Sequence, residues 1–273
     1  MSTFAVAALI GLIILIAFGA LLWWQQERVA FQPPGPPWPD PGAARRLDYR
    51  TEDGERLFAW IVGDTGTARG ALLAFHGNAD LAVRQIPWAR EVVRRTGRLV
   101  VLAEYRGYGG ATGVPSYAGS AHDARAAWRA VRDSLGVPPK DIALFGHSLG
   151  SAVATELASE VDPPTLLLQS PFTSARDMAR IVIARPLHVV WSAIARIHFD
   201  TEARVRSLET PVSVAHGTDD FIIPARMGRA VHAAARRKGE LLLVPDAGHN
   251  DVSERGGDAY WSWLERALGS ADP

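Results

Sequence analysis

The chain contains no cysteine and has no excess of charge of either sign. Without cysteine it cannot hold a thiol nucleophile, a thiolate metal site or a disulfide framework. Its 29 Lys and Arg side chains equal its 29 Asp and Glu side chains in number, so it lacks the broad basic surface typical of proteins that bind nucleic acid. The sequence therefore predicts no nucleic acid partner.

Sequence patterns for metals and nucleotide cofactors are also missing. The 8 histidines include no H-E-x-x-H or similarly close pair, which a helical zinc site would show. The stretch GYGGAT at 107–112 has Thr112 where a dinucleotide-binding loop needs its third glycine. We therefore expect no metal and no cofactor.

Apolar sequence is abundant. Hydrophobic residues make up 48% of the 273 positions, which is enough to bury a substantial core without metal or disulfide support. There is no internal repeat, and the length predicts one medium α/β domain with an appendage.

The appendage is the run from Phe4 to Trp24, which carries no charged residue and ends in a tryptophan pair. At about 1.5 Å per residue it reaches about 30 Å, the hydrocarbon thickness of a bilayer. It predicts a transmembrane anchor over residues 1–24. The alternative is a cleaved signal peptide, whose apolar core of about 7–15 residues is shorter and follows a positively charged segment.

The arginines that follow this run indicate an orientation in the membrane. They are Arg28, Arg45 and Arg46, whereas Met1, Ser2 and Thr3 are uncharged. By the positive-inside rule this asymmetry favours a cytoplasmic globular domain over a periplasmic or extracellular one.

Residues 25–44 are predicted to be a juxtamembrane linker, because FQPPGPPWPDPG at 31–42 is too rich in proline for a helix or an internal strand. As an extended spacer of about 3.1 Å per residue it would hold the domain about 35 Å from the bilayer or lie along the bilayer surface. The alternative is an ordered segment that wraps around the domain.

Residues 45–273 are predicted to form the folded domain. Two alternating runs around Asp53-Gly54 indicate a β-hairpin. Continuous apolar runs then alternate with amphipathic helices, the pattern of a mostly parallel sheet covered by helices on both faces. The runs lie at 70–77, 98–107, 141–148, 165–172, 211–217 and 240–249. In such sheets functional residues collect where the strands end.

The stretch GHSLG at 146–150 follows one of these runs and precedes an alanine-rich helix. It matches the G-x-S-x-G elbow, in which small flanking residues permit a sharp turn that exposes the serine hydroxyl. Ser148 is therefore the candidate nucleophile, and the Leu149 amide at the helix N-terminus is a candidate oxyanion donor.

A serine nucleophile also needs a base, an acid that orients the base, and a second oxyanion donor. His249 in DAGHND is the candidate base, and the backbone N–H of Asn78 in HGN is the candidate donor. The acid lies in HGTDDFIIP, where Asp219 and Asp220 are both available. All of these follow predicted strands, so we expect them to meet at one edge of the sheet.

An ordered set of sequence words resembles the α/β-hydrolase family, and within it the membrane-anchored serine hydrolases called BEM46-like or ABHD-type. The words are HGNA (76–79), YRGYG with GVPS (105–116), GHSLG (146–150), SPFTS (170–174), HGTDDFIIP (216–224) and GHND (248–251). The resemblance implies an α/β-hydrolase fold with a mostly parallel central sheet flanked by helices, a short helical cap and an N-terminal transmembrane helix.

The resemblance also implies the roles of the site residues. The family's acid falls on Asp220 rather than Asp219, which completes a triad with Ser148 and His249. Relatives usually have Asp or Asn where this chain has Glu104, and this departure bears on how the neighbouring loop is supported.

The resemblance implies a membrane-anchored serine hydrolase that cleaves carboxylic ester or thioester bonds of a small-molecule or lipid-like acyl substrate through an acyl-enzyme. A serine peptidase or amidase of the same fold is an alternative, as is a catalytically inactive anchored scaffold. Residues 170–205 are predicted to contain the cap, broken near Pro186. Its apolar face either packs on the core or forms an acyl-chain groove.

Overall fold

The structure is a computed structural model that describes residues 2–182, 191 and 194–269. Eight strands form one sheet in the order β1-β2-β4-β3-β5-β6-β7-β8. The strands are β1 Arg45–Arg50, β2 Arg56–Val62, β3 Ala71–Phe75, β4 Leu99–Ala103, β5 Ile142–His147, β6 Leu166–Gln169, β7 Val212–Gly217 and β8 Lys238–Val244. All neighbours from β4 to β8 run parallel, while β1 and β2 form the predicted antiparallel hairpin.

Helices connect the strands and cover both faces of the sheet. They are α1 Thr3–Ala30, α2 Ile86–Thr96, α3 Tyr117–Arg129, α4 Leu149–Val161, α5 Ala175–Val182, α6 Thr201–Val205, α7 Ala225–Ala234 and α8 Val252–Ala267. Every residue of β3, β4 and β6 is buried. Burial on both faces explains why these runs are continuously apolar rather than alternating, and the predicted mostly parallel sheet flanked by helices is confirmed.

The turn from β5 into α4 has no room for side chains at its two flanking glycines. A Cβ on Gly150 would lie 2.1 Å from the Phe75 carbonyl oxygen, and one on Gly146 would lie 2.2 Å from the carbonyl oxygen of Gly150. Both contacts are with backbone, which cannot move aside as a flexible side chain can. The glycines therefore let α4 approach the sheet closely enough to form the elbow.

We expect Gly150→Ala to lower the free energy of unfolding by about 2 kcal/mol, because the added methyl group forces α4 away from β3. Urea denaturation followed by circular dichroism measures this loss. Gly66→Ala is the matched control, since its Cβ would meet only a side-chain oxygen of Asp64 at 3.5 Å, and its effect should stay within about 0.5 kcal/mol. Equal stability of the two variants would contradict the packing explanation.

The helix α1 contains the predicted anchor and continues beyond Trp24 to Ala30. It is long and apolar enough to span a membrane, and 0% of its most apolar stretch is buried against the rest of the described chain. Residues 25–30 of the predicted linker thus belong to this helix. The predicted end of the anchor at residue 24 stays a prediction.

The proline-rich segment after α1 lies against the domain. Phe31 is 4% exposed, the Gln32 N–H donates to Asn78 Oδ1 at 2.8 Å, and the Trp38 ring lies over Gly110. The extended spacer of about 35 Å was therefore the wrong interpretation. Composition favoured an extended backbone, whereas burial of Phe31 decides where that backbone lies.

The predicted cap at 170–205 is described in part. Helix α5 and helix α6 lie within it, and Ser174 pairs with Asp200 as an isolated antiparallel bridge. The break predicted at Pro186 lies outside the described residues. The Gln26 side chain of α1 donates to the Ile194 carbonyl at 2.9 Å and accepts from the Arg196 N–H at 2.7 Å, so the described part of this segment contacts α1.

Candidate active site

Ser148 occupies a strained turn at the carboxyl end of β5. Its φ of 54° and ψ of −117° lie in a region that residues with a side chain rarely adopt. Its own N–H donates to the Gln169 carbonyl at 3.0 Å, and its carbonyl accepts from the Ser151 N–H at 2.9 Å. These bonds hold the backbone in place, so the hydroxyl projects from the turn as the elbow pattern predicts.

A chain of hydrogen bonds joins Ser148, His249 and Asp220, which are far apart in sequence. Ser148 Oγ lies 2.9 Å from His249 Nε2, and His249 Nδ1 lies 2.7 Å from Asp220 Oδ2. The Asp220 carboxylate can only accept, so the neutral His249 imidazole carries its proton on Nδ1 and donates it to Asp220. Nε2 is then free to accept from the serine hydroxyl. The three side chains have the geometry of a nucleophile, a base and an orienting acid.

The loop after β7 selects Asp220 over its neighbour Asp219. Asp220 is buried, and its Oδ1 accepts the N–H groups of Ile222 at 2.9 Å and Ile223 at 2.7 Å. Asp219 is exposed. The two residues are adjacent, so their side chains leave the backbone in different directions, and only Asp220 reaches His249.

His216 is a second imidazole beside Asp220. Its Nε2 lies 2.8 Å from the Ile223 carbonyl and 3.2 Å from Asp220 Oδ2. Burial raises the pKa of Asp220, but the hydrogen bonds from His216 and His249 outweigh it and hold this pKa well below its usual range. Asp220 is therefore ionised at neutral pH. The sequence marked His216 only as a strand-end histidine, and no local signal indicated this contact.

His147 supports the backbone of the candidate base. Its ring lies against that of His249, and its Nε2 lies 3.2 Å from the His249 carbonyl oxygen. Burial, with a smaller contribution from His249, lowers the pKa of His147 to about 4. The neutral ring therefore donates from Nε2 to this carbonyl.

The two predicted oxyanion donors belong to the start of α4 and to the loop after β3. Leu149 is the first residue of α4, where backbone N–H groups have no acceptor within the helix and the helix dipole favours negative charge. Asn78 lies in the loop after β3, and it lines the same cavity as Ser148 and His249.

The Asn78 side chain organises this loop from within. Its Oδ1 accepts the N–H of Gln32 at 2.8 Å, the N–H of Ala79 at 2.9 Å and the hydroxyl of Tyr108 at 2.9 Å. One amide oxygen therefore joins the segment after α1 to the loop that carries the predicted donor. Nothing in the composition of the proline-rich segment indicated this link.

We expect Asn78→Ala to lower kcat about tenfold while changing KM little, because the backbone N–H remains but the three bonds that orient it are lost. Steady-state kinetics on a soluble acyl ester measures both constants. Gln32→Ala is the matched control, because the Gln32 backbone N–H that contacts Asn78 is kept. A rise in KM at constant kcat for Asn78→Ala would contradict an orienting role.

Glu104 pairs with His76 beneath the loop. His76 Nε2 donates to Glu104 Oε1 at 2.7 Å, the Ala82 N–H donates to Oε2 at 3.1 Å, and both paired side chains are 1% exposed. Burial alone lowers the pKa of His76, but the charge of Glu104 and its hydrogen bond raise it above the usual value. The longer side chain at position 104 thus bridges two parts of the loop.

A cavity of about 600 Å³ opens beside the Ser148 hydroxyl. Its walls combine apolar side chains with polar ones. The apolar members are Trp88, Phe145 and Ile222, and the polar members include Gln32, Asp80, Arg84 and Gln85. This volume is suitable for a small-molecule substrate.

Comparison with known proteins connects this architecture to a family. A family model described as serine aminopeptidase S33 matches residues 66–199. An uncharacterized protein of Mycobacterium tuberculosis is 36% identical over 269 residues, which are 95% of this chain and 93% of that protein. Alpha/beta hydrolase domain-containing protein 17B of Xenopus tropicalis is 30% identical over 217 residues, which are 80% of this chain and 71% of that protein.

A solved structure agrees with the overall fold. An esterase from Pyrococcus furiosus superposes with a TM-score of 0.66 at 19% identity, over 88% of this chain and 99% of the esterase. At this identity the likeness concerns the fold, whereas the sequence relatives establish kinship. The chain belongs to the α/β-hydrolase family, and it is a hydrolase whose structural neighbours include esterases.

Proposed function

We propose that this protein is a membrane-anchored serine hydrolase that cleaves carboxylic ester or thioester bonds of substrates with an acyl or other apolar group. The hydrogen-bonded chain from Ser148 through His249 to Asp220, opening into a partly apolar cavity, supports this function most strongly. No cofactor is needed, because side chains and backbone amides supply every group that the reaction uses.

The proposed mechanism follows from the tautomer of His249 that its two hydrogen bonds imply. His249 Nε2 accepts the proton of Ser148 Oγ as this oxygen attacks the substrate carbonyl, and the imidazolium is stabilised by ionised Asp220. The Asn78 and Leu149 amides donate to the oxyanion of the tetrahedral intermediate. His249 then protonates the leaving group, which departs and leaves an acyl-enzyme. Attack by a water molecule, deprotonated by His249, releases the acid and restores Ser148.

A peptidase or amidase is the second candidate, supported by the name of the matching family model. An aminopeptidase needs a free carboxylate to bind the terminal ammonium group of a peptide. Among the described residues that line the cavity, Asp80 is the one acid. Its carboxylate accepts from Gln85 Nε2 at 2.5 Å and lies 3.8 Å from Arg84. Because these two contacts occupy the Asp80 carboxylate, it is not free to bind an ammonium group. The cavity therefore favours esters over peptides with a free amino terminus.

A fluorophosphonate probe tests whether Ser148 is the nucleophile, and a panel of substrates tests which type of bond is cleaved. We expect the wild type to be labelled and Ser148→Ala to remain unlabelled. Acyl esters and thioesters of increasing chain length should be hydrolysed at least about 100-fold faster in kcat/KM than aminoacyl amides, because an engaged Asp80 offers little binding to an ammonium group. Faster amide hydrolysis would identify a peptidase, and a folded wild type that neither reacts nor turns over would identify a scaffold.

The proposed anchor is α1, with the hydrolase domain on the cytoplasmic side. The arginines that follow the apolar stretch support this orientation. A reporter fused after Pro273 tests it, because alkaline phosphatase is active outside the cytoplasm and green fluorescent protein is fluorescent within it. Phosphatase activity without fluorescence would reverse the orientation, and release of a processed soluble protein would replace the anchor by a signal peptide.

A further inference from the structure

The C-terminal end of α1 contacts the edge of the sheet at which the parallel strands end. Gln26 contacts residues 194 and 196 of the segment after β6, and the Glu27 carboxylate accepts the Tyr117 N–H at 3.3 Å. Gln32 contacts Asn78, which follows β3. Three separate connections at the carboxyl edge of the sheet therefore hold this end of the helix.

The junction between helix and domain also carries membrane-interface residues. The Arg196 guanidinium lies 4.2 Å from the centre of the Trp23 ring, and that of Arg28 lies 4.2 Å from the Trp24 ring. Tryptophan and arginine both settle in the headgroup layer of a bilayer. Arg196 belongs to the segment between β6 and α6, so with α1 spanning a bilayer this contact brings that segment to the level of the headgroups.

The chain length between the tryptophan pair and the cavity agrees with this position. From Trp24 to Ala30 the helix rises about 9 Å, and two more residues to Gln32 add at most about 7 Å. Gln32 lines the active-site cavity. Gln32 therefore lies at most about 16 Å along the chain from Trp24, which is about twice the 5–8 Å thickness of the headgroup layer, so the chain keeps this part of the cavity near the membrane surface.

The same edge presents an exposed apolar tip next to the cavity. Phe221 is 92% exposed and Ile222 is 55% exposed, and both lie in the loop after β7. Ile222 also lines the cavity that Gln32 lines. A phenylalanine this exposed leaves most of its apolar area in water unless another phase covers it.

We propose that the tip formed by Phe221 and Ile222 is a second membrane contact, which inserts into the headgroup layer of the bilayer that α1 spans. The active-site cavity then opens toward this bilayer, and the substrate is an acyl amphiphile that enters from the lipid phase. The inference rests on the proposed anchor and, for the substrate, on the proposed hydrolase activity. One tether restricts the distance of a domain from the membrane, whereas a second contact also sets its tilt.

The absence of native cysteine allows a direct measurement of depth. We would place one nitroxide label on the full chain, at Phe221→Cys or at Thr67→Cys, in vesicles of phosphatidylcholine and phosphatidylglycerol. Thr67 is exposed in the loop before β3, at the opposite edge of the sheet. We expect the label at 221 to collide preferentially with oxygen, and the label at 67 with an aqueous nickel complex. Equal access of nickel to both labels would overturn the proposal.

A kinetic measurement tests substrate entry. Phe221→Asp should lower the rate on a long-chain acyl ester held in these vesicles by about tenfold, and it should leave hydrolysis of a short water-soluble ester unchanged. Thr67→Asp introduces the same charge at the opposite edge and should change neither rate. An equal loss on both esters for Phe221→Asp would overturn entry from the lipid phase.

The two proposals fail in distinguishable ways. If the wild type hydrolyses neither ester and does not react with fluorophosphonate, the proposed hydrolase function fails, while the nitroxide measurement still decides the membrane contact. If both esters are hydrolysed but the label at 221 stays in water, the hydrolase function stands and the second contact is refuted.

Discussion

Ser148→Ala is expected to lower kcat on an acyl ester by about a million-fold, and removal of His249 in the same chain should lower it no further. In the proposed mechanism the hydroxyl and the imidazole act in one proton transfer, so loss of either group removes the nucleophilic route. Asp220→Asn should cost about ten thousand-fold, because the amide favours the wrong imidazole tautomer. Single-turnover kinetics with Ser148→Ala, His249→Ala, Asp220→Asn and the Ser148→Ala/His249→Ala double variant measures these effects.

Thermal unfolding of each variant is the control that separates a loss of catalysis from a loss of the fold. Replacement of Ser148 or His249 should leave thermal unfolding nearly unchanged. Asp220→Asn should lower the unfolding temperature, because the buried Asp220 carboxylate accepts from two backbone N–H groups and from His249. Additive losses in the double variant would show that Ser148 and His249 act independently. Retained turnover in Ser148→Ala would indicate that another group is the nucleophile.

Glu104→Gln is expected to lower the free energy of unfolding by about 4 kcal/mol at pH 6. The change leaves His76 buried without its counter-charge, and a broken buried pair costs about 3–5 kcal/mol. The Glu104 and His76 side chains are each 1% exposed, so water cannot replace the lost partner. Guanidinium denaturation over a range of pH values measures the loss.

The pH dependence distinguishes this charge pair from simple packing. The pKa of His76 is raised in the folded protein, so the pair's contribution is fully present below the unfolded pKa of about 6.5 and is lost as the pH rises through the folded pKa. The stability difference between wild type and Glu104→Gln should therefore narrow at alkaline pH. Glu104→Asp, which keeps a carboxylate, should lose less than Glu104→Gln at pH 6. A loss independent of pH would contradict the ionic explanation.

Residue patterns predicted the sheet because a parallel strand buried on both faces must be apolar along its whole length. They also predicted the elbow, since a strand-to-helix turn this tight needs glycine at 146 and 150. The strand-end motifs that contain Asn78, Asp220 and His249 were found for a related reason, because the carboxyl ends of parallel strands converge.

Other features depend on contacts between residues far apart in the chain. Proline content predicted an extended backbone at 31–42, but only packing shows that Phe31 is buried and that Gln32 reaches Asn78. The bond between His216 and Asp220 depends on the path of the loop after β7. The same is true of the exposed tip formed by Phe221 and Ile222, whose proposed role follows from its position beside the cavity that Ile222 lines.

Sequence alone was therefore sufficient for the fold, the elbow and the types of residue that the site requires, because these follow from periodicity, turn geometry and short motifs. From the residues without a family resemblance, Asp219 and Asp220 were equivalent. Only the tertiary structure shows that Asp220 reaches His249 and that the end of α1 reaches the Asn78 loop. The physical reason is the same in both cases: hydrogen bonds and burial depend on direction and distance in space, which a linear pattern does not specify.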